Sequence, residues 1–362
     1  MPRNGAEICE LAFICKTGGE AARARLYHRS AVFRVHQRMS SRIETPPGPT
    51  STRWATSAAL VVGWMLIVLL LLYVLEVRPR LRTDAPSVAT VRTAQPDFPA
   101  PPVGAVVYGR QMGDTALALA VAPEPGRVIA QASVVGPDGE GVSGLDVSFG
   151  SHGSNVTGRP CGPGCYRAAL PTVTAPRTLD LVVGGDSATR WDVPLPESWP
   201  PADAADVVTR AERVWRTLRS LSFEETLRSD ESHEVTSSWQ LQAPDRLAYQ
   251  IAHGGSAVIV GKRRWDRVPG KPWKASPQPP IRQPTPQWVE ATNAHVVATT
   301  VARGRPALVV TFFDPKTPGW YTATVDSETF RTYDVRMVAT AHFMHDRYHS
   351  FDETPAIRPP VD

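Results

Sequence analysis

Three histidines near the C-terminal end of the sequence have the spacing and the donor atoms of a metal site. His342, His345 and His349 stand at positions i, i+3 and i+7, with Met344 and Asp346 beside them. On a helix this spacing places the imidazoles on one face, and imidazole with a thioether is a donor set for copper or zinc. The alternative is that these side chains pack and hydrogen-bond after a last strand. We therefore expect either no cofactor or, on the metal hypothesis, copper.

A second candidate for chemistry is the pair Cys161 and Cys165. The residues between them are Gly-Pro-Gly, which let the chain turn back on itself. A loop this short brings two Cα atoms within about 6 Å, as a disulfide requires. A redox pair and a pair of thiolate metal ligands remain alternatives, but the disulfide is favoured. A disulfide here predicts an oxidising compartment.

The C-terminal half is rich in tryptophan, which indicates either a ligand cavity or a filled core. Within it, residues 266–287 contain seven prolines and interrupt the pattern of strands. A segment of this length without strand pattern is often a lid over a binding site, and the alternative is a tolerated surface insertion. The predicted ligand-binding residues are Trp215, Trp239, Trp265, Trp273, Trp288 and Trp320.

Catalytic signatures are missing from the sequence. It contains no Gly-x-Ser-x-Gly, no His-Glu-x-x-His, no phosphate-binding glycine-lysine loop and no Gly-x-Gly-x-x-Gly. We therefore predict that the protein is not an enzyme.

A long uncharged stretch divides the chain. Twenty-two residues from Trp54 to Leu75 carry no charge, enough for a helix to cross the hydrocarbon core, and we predict a single transmembrane helix at 54–76. Residues 1–53 hold nine basic and four acidic side chains, which favours a cytoplasmic tail. We expect residues 1–38 to be untranslated, if Met39 is the true start, or disordered. The later residues carry 30 basic and 31 acidic side chains, so the basic pI does not indicate nucleic-acid binding.

The residues after the predicted span divide into three parts. Residues 77–102 contain six prolines and suit an extended stalk. Residues 103–197 show period-two alternation, as at Leu117, Leu119 and Val121, and predict a small antiparallel sandwich. Residues 199–362 begin with an amphipathic helix capped by Asp203 and continue as a long antiparallel meander, so the fold class is mainly β with an α+β unit.

Several of these motifs resemble a known architecture. Residues 134–139 and 160–168 resemble the extracytoplasmic tail fused to bacterial copper-resistance membrane proteins of the CopD type, whose sandwich is immunoglobulin-like and similar to YtkA and FixH. Residues 243–247, 260–265 and 341–344 resemble the second part of those tails, which is similar to outer-membrane lipoprotein carriers (LolA-like). The resemblance covers about residues 104–362. For residues 199–362 it implies a half-open antiparallel β-barrel with a packed helix.

The resemblance also implies a function. We expect a single-pass protein of the bacterial cell membrane whose C-terminal domains are extracytoplasmic and bind a lipid or hydrophobic ligand without catalysis. The alternatives are a copper-handling accessory protein of the envelope and an envelope sensor or regulatory module. The expected partners are membrane lipid or a hydrophobic ligand and a membrane protein, with no nucleic acid. One predicted span is too few for copper translocation by this chain alone.

Overall fold

The computed structural model describes residues 97–151, 154–171, 177–184 and 188–361 of the 362-residue chain. The predicted cytoplasmic tail, the predicted transmembrane helix at 54–76 and the predicted stalk up to residue 96 lie outside these residues. Among the described residues, no helix has the length and apolar character needed to cross a membrane. This part of the chain is mostly β, with one α-helix and antiparallel sheets.

Nine strands between residues 106 and 194 form two antiparallel sheets that face each other. The strands are β1 (Val106–Met112), β2 (Thr115–Glu124), β3 (Arg127–Val135), β4 (Val147–Ser151), β5 (Ser154–Thr157), β6 (Arg159–Gly162), β7 (Cys165–Pro171), β8 (Thr178–Val183) and β9 (Thr189–Pro194). One sheet has the order β1-β2-β3-β7-β6 and the other β5-β4-β8-β9. Buried side chains of both sheets, such as Leu119 and Phe149, share one core, so these strands form a sandwich.

Strand β2 is buried on both faces, although its sequence pattern predicts a half-buried strand. Leu117, Leu119 and Val121 point into the sandwich core. Alanines at positions 116, 118, 120 and 122 alternate with them and belong to a different buried cluster. Their small side chains allow a second sheet to lie close against this face.

The described residues that follow the sandwich form one helix and one large sheet. The helix is α1 (Ala205–Thr217), and the strands are β10 (Ser220–Arg228), β11 (Glu234–Gln242), β12 (Arg246–Ile251), β13 (Ser256–Val260), β14 (Arg263–Arg267), β15 (Lys274–Pro277), β16 (Thr292–Ala302), β17 (Arg305–Asp314), β18 (Gly319–Asp326), β19 (Thr332–Ala339) and β20 (His342–His349). The order is β15-β14-β13-β12-β11-β10-β20-β19-β18-β17-β16. We call the face of this sheet that packs against α1 the inner face.

The predicted amphipathic helix is present, with a different first residue from the one predicted. Val208, Ala211 and Trp215 are its buried residues, as expected from their helical spacing. The N-cap is Ala204 instead of Asp203. The Asp203 carboxylate nevertheless accepts a hydrogen bond of 2.7 Å from the Ala205 N–H. This bond satisfies one of the free amide groups at the start of the helix.

Two strand predictions in the large sheet need correction. The apolar run from Ala257 to Trp265, predicted as one strand, is the hairpin of β13 and β14, which turns at Gly261 with φ of 59°. The segment containing His342, which the metal hypothesis places on a helix and the alternative places after the last strand, is strand β20 and pairs with β10 and β19. In β20 the polar side chains occupy both faces, so the alternation typical of a strand is hidden.

The sandwich and the large sheet share a buried interface, which we call the seam. Trp320 on the outer face of the large sheet is 3% exposed, and its ring centroid lies 5.4 Å from that of Phe98 and 5.5 Å from that of Phe313. A Cβ atom on Gly109 would stand 2.8 Å from the Cβ of Trp320. The absence of a side chain at this position therefore allows β1 to approach the large sheet.

Residues 97–102 do not form the end of an extended stalk, so the predicted stalk 77–102 is wrong for these six residues. Phe98 is buried in the seam. The Gln131 side chain donates a hydrogen bond of 3.2 Å to the Ala100 carbonyl, and Asn293 donates one of 2.6 Å to the Pro102 carbonyl. Burial of the Phe98 ring favours this packed conformation over a solvated spacer.

The seam generates a stability prediction. We expect Trp320→Ala to lower the free energy of unfolding by about 3 kcal/mol, because it leaves a cavity between two buried aromatic rings. Urea denaturation of the full chain measures this. Val301→Ala is the control, since Val301 is 72% exposed and its truncation should change the same quantity by less than about 0.5 kcal/mol. A loss at Trp320 as small as that of the control would contradict a buried seam.

His295 lies where the chain from the sandwich enters α1. It forms an isolated β-bridge with Asp203, and the neighbouring Val296 N–H donates to the Ala202 carbonyl. Burial lowers the pKa of His295 below its ordinary value and outweighs the opposing effect of the Asp203 carboxylate. The folded chain therefore favours the neutral imidazole.

A pH dependence follows from His295. We expect the free energy of unfolding to fall as the pH is lowered from about 7 through about 6.5, because the unfolded chain then binds a proton that the folded chain does not. Urea denaturation at a series of pH values measures this. His295→Asn should remove this component, while His253→Asn should keep it, since His253 is exposed and its φ of 57° suits Asn. Equal pH slopes in the wild type and His295→Asn would contradict the assignment.

Candidate functional site

An irregular segment joins the two ends of the large sheet. Residues 278–291, which we call the strap, follow β15 and precede β16, and none of them belongs to a strand. Four of these residues are prolines, which lack the N–H that a strand ladder requires. Ile281 and Trp288 of the strap belong to the same buried cluster as α1 and the inner face. The strap therefore covers part of the inner face without extending the sheet.

Trp288 is the main apolar anchor of the strap. Its side chain is 4% exposed, and its ring centroid lies 5.2 Å from that of Phe312 and 6.2 Å from that of Tyr321. The rings of Phe312 and Tyr321 stack on each other at 5.0 Å, so they form a flat wall for the indole. The indole N–H donates a hydrogen bond of 2.9 Å to Glu212 of α1. Trp288 thus joins the strap, the helix and the sheet.

The backbone of the strap is held by separate hydrogen bonds. The Gln283 N–H donates to the Pro244 carbonyl at 2.9 Å. The Val289 N–H donates to the Asp314 carboxylate at 2.7 Å. These contacts lie at different points along the segment, whereas a strand ladder would add bonds at regular intervals. The strap is therefore a cover that can separate from the sheet without breaking a β-ladder.

A second group of aromatic rings lines the inner face beside the strap. Phe223 stacks on Trp239 with a centroid distance of 5.7 Å, and Trp239 contacts Tyr249 at 4.5 Å. Tyr348 lies 5.1 Å from Phe223 and 5.0 Å from Trp215 of the helix. These rings come from strands that are neighbours in the sheet, so they form a continuous apolar surface. Such a surface is suited to the hydrocarbon part of a ligand.

Two carboxylates are buried within this apolar interior. Glu225 of β10 is 3% exposed and Asp346 of β20 is 0% exposed, and they are opposite each other in the strand register. Glu225 accepts hydrogen bonds of 2.8 Å from Ser237 and from the Trp239 indole. Buried carboxylates are costly unless such donors surround them. Their presence gives this part of the inner face a strong hydrogen-bond-accepting character.

Asp346 connects the sheet to the strap. It accepts hydrogen bonds from the Gln287 side chain at 3.0 Å and from the Tyr348 hydroxyl at 2.7 Å. Burial, together with the nearby Asp346 carboxylate, raises the pKa of Tyr348 well above its ordinary value. The phenol therefore stays protonated and continues to donate to Asp346.

A small space remains between the strap and the inner face. Its volume is about 10 Å³, roughly the size of one water molecule. The carbonyl oxygen Oε1 of the Gln283 side chain is buried and has no hydrogen-bond partner among the described residues. The space is lined by Phe223, Leu241, Leu247, Gln283, Thr285 and Gln287. In this closed form the space has no room for a lipid chain.

The structure separates the six tryptophans that the sequence grouped as one ligand site. Trp215, Trp239 and Trp288 lie in the interior. Trp320 is in the seam, on the opposite face of the sheet. Trp265 pairs with Val258, and its neighbours Arg264 and Asp266 pair with the core residues Ile259 and Ala257, so Trp265 is on the outer face. Trp273, in the turn after β14, contacts Arg267 at 4.7 Å.

The three histidines do not share a face, because the segment is a strand. Side chains alternate along β20, so His342 is on the side of Met344 and the inner face, whereas His345 and His349 are on the other side. His345 makes a contact of 2.6 Å with Asp334. In the part of the chain that the structure describes, no three His, Cys, Asp or Glu side chains are grouped as a metal site. The predicted helical arrangement of ligands is therefore wrong.

Cys161 and Cys165 are joined by a disulfide, with a Cα–Cα distance of 5.1 Å. The bond closes the turn between β6 and β7. The redox-pair and metal-ligand alternatives would require free thiols.

Sequence reasoning missed the polar residues of the site. Glu225 and Asp346 are charged residues at inward positions of β10 and β20, where the alternation calls for apolar side chains. Gln283 and Gln287 are in segment 266–287, which the sequence predicts as a lid or a surface insertion, and nothing in that pattern singles out these two residues. The sequence does contain a signal for Asp346. It lies two residues from both Met344 and Tyr348, so on a strand all three side chains would be on the same face.

Comparisons with known proteins give structural similarity without a sequence relative. No family model matches this sequence, and no curated protein matches it. Similar solved structures include LprF from Mycobacterium bovis, with 8% identity, a TM-score of 0.35, and coverage of 45% of this chain and 99% of LprF. The lipoprotein LppX from Mycobacterium tuberculosis has 10% identity, a TM-score of 0.35, and coverage of 42% and 97%. A LolA superfamily protein from Nitrosomonas europaea has 10% identity, a TM-score of 0.20, and coverage of 41% and 92%.

The anchoring role of Trp288 is testable. We expect Trp288→Ala to raise the amide hydrogen-exchange rates of residues 278–291 by about tenfold or more, because the variant loses most of the apolar contact that closes the strap. Exchange measured by mass spectrometry on the full chain resolves this segment. Trp273→Ala is the matched control and should leave these rates unchanged. Equal rates in both variants would contradict the assignment.

Proposed function

We propose that this protein binds a lipid or another amphipathic hydrophobic molecule between the strap and the inner face of the large sheet, without catalysis. The observation that carries the proposal is the cover itself. A continuous aromatic surface is closed by a segment that forms no strand ladder and is held by one indole and a few separate hydrogen bonds.

The closed form explains why the proposed ligand has to displace the strap. The space under the strap is about 10 Å³, which is too small for a hydrocarbon chain. In the proposal, the chain enters after the Trp288 ring moves away from the rings of Phe312 and Tyr321. The ligand would then replace the apolar contacts that the indole makes in the closed form. Because apolar contacts are exchanged for apolar contacts, opening costs less than exposing the same rings to water.

The proposal includes the architecture and the location expected from the sequence. In it, residues 199–362 form a carrier-like half-open barrel, the predicted span at 54–76 anchors the chain in a bacterial cell membrane, and the described domains are extracytoplasmic. The disulfide between Cys161 and Cys165 supports the location, because such bonds persist in oxidising compartments. The resemblance to copper-resistance proteins and the copper alternative stay predictions, as does the envelope-sensor alternative.

A photolabelling experiment tests the proposed function. Membranes containing the full chain are treated with a monoacylglycerol that carries a diazirine in its acyl chain, and the labelled peptides are mapped by mass spectrometry. We expect labels on β10, β11 and β12, which carry the aromatic surface, and on β17 and β18, which carry Phe312 and Tyr321. We also expect a labelling increase of several-fold in Trp288→Ala because the strap opens more often. Trp273→Ala is the control and should match the wild type. Labels confined to outer-face peptides, or no increase in Trp288→Ala, would contradict the proposal.

A further inference from the structure

The polar groups beneath the strap restrict the chemistry of the ligand. We propose, on the basis of the proposed function, that the site selects ligands whose head group donates hydrogen bonds, such as a glycerol, a sugar or an amine, and discriminates against fatty acids. The argument depends on one buried amide oxygen that lines the space under the strap and on two buried carboxylates that lie next to the residues lining it.

The first observation is the unpartnered oxygen of Gln283. This side chain is 6% exposed, and its Oε1 atom has no hydrogen-bond partner among the described residues. It lines the same space as Phe223 and Leu247, which are apolar. A buried acceptor without a donor is unfavourable, and a ligand hydroxyl or amine placed here would remove that cost.

The second observation is the pair of carboxylates next to this space. Phe223, which lines the space, is two residues before Glu225, so both side chains are on the inner face of β10. Gln287, which also lines the space, donates its hydrogen bond to Asp346. Glu225 and Asp346 are opposite each other across the strand pair. Gln283 therefore lines the space that the strap covers, and the two carboxylates are each next to a residue that lines it.

Hydrogen-bond complementarity then decides between head groups. An ionised carboxylate accepts hydrogen bonds and does not donate them, so it pairs with hydroxyl, amide or ammonium groups. The carboxylate of a fatty acid has the same character, and its charge would stand beside two buried acidic side chains. None of the residues that line the space is cationic, so the charge of a fatty acid would lie near acidic side chains without a compensating positive charge. A glycerol or amine head group has hydrogen-bond donors that can pair with these acceptors.

The aromatic wall gives the ligand its orientation. Trp239 contacts Tyr249 on one side and donates its indole N–H to Glu225 on the other, so the apolar wall ends at the carboxylate. The acyl chain would follow the rings, and the head group would lie toward Glu225, Asp346 and Gln283. The site thus selects for a molecule that has both parts.

The test uses three photoactivatable probes with the same diazirine-bearing acyl chain and different head groups: glycerol ester, primary amine and carboxylate. With the full chain in membranes, we expect the glycerol and amine probes to label β10, β11 and β12 about tenfold more than the carboxylate probe. Glu225→Gln should reduce this ratio several-fold, because it removes one charged acceptor. Glu224→Gln is the matched control, since it makes the same charge change at the neighbouring position on the opposite face of β10.

A second variant keeps the test decisive if Glu225→Gln does not fold. Gln283→Leu removes the unpartnered oxygen while keeping a side chain of similar size, and it should also lower the ratio. Equal labelling by all three probes at the interior strands would overturn the head-group inference and leave the proposed function standing. An unchanged ratio in both Glu225→Gln and Gln283→Leu would overturn it too. Absence of interior labels with any probe would overturn both proposals.

Discussion

The contact of Trp288 with Phe312 and Tyr321 is the interaction on which the closed form of the large sheet depends. The sheet has eleven strands and an inner face lined with rings, but among the described residues a single thirteen-residue helix lies against it. The remaining surface needs a cover, because exposed aromatic area of this extent is unfavourable in water. Prolines prevent the connecting segment from joining the sheet, so the cover is an irregular chain held at a few points. One physical requirement therefore explains both the cover and the absence of a β-ladder between it and the sheet.

The covering strap also bears on the two buried carboxylates of the inner face. A core built only for stability would place apolar side chains opposite each other at the centre of β10 and β20, since buried charges are costly even when they are hydrogen-bonded. Here Glu225 and Asp346 occupy those positions, and part of their hydrogen bonding comes from the strap itself through Gln287. The strap and the pair of carboxylates are thus linked by the hydrogen bond from Gln287 to Asp346. A change in the position of the strap changes the surroundings of the carboxylates.

Local pattern in the sequence predicts a large part of this fold and little of its site. Helix α1 and strands β11 and β12 follow from the spacing of their apolar residues, because each has one clear buried face. Strand β20 was missed because its histidines mimic helical spacing and its inward position 346 is acidic. The tryptophans were grouped by type, whereas strand parity and long-range pairing separate Trp265 and Trp320 from the interior. Which acceptors meet under the strap is decided by pairing between β10 and β20, which are more than a hundred residues apart.

The seam has a mechanical consequence. Phe98 is held between the sandwich and the large sheet, at the point where the described chain begins, and Trp320 on the other side of the contact adjoins Tyr321, which forms the wall for Trp288. A pull transmitted along the chain from residues before Phe98 would load this contact before it reached the sandwich core. Trp320 and Tyr321 are neighbours in β18, and they connect the seam to the aromatic wall that Trp288 contacts. Tension on the chain before Phe98 and a ligand in the interior would therefore act on the same part of β18. Strand β18 would thus couple tension at the seam to binding under the strap.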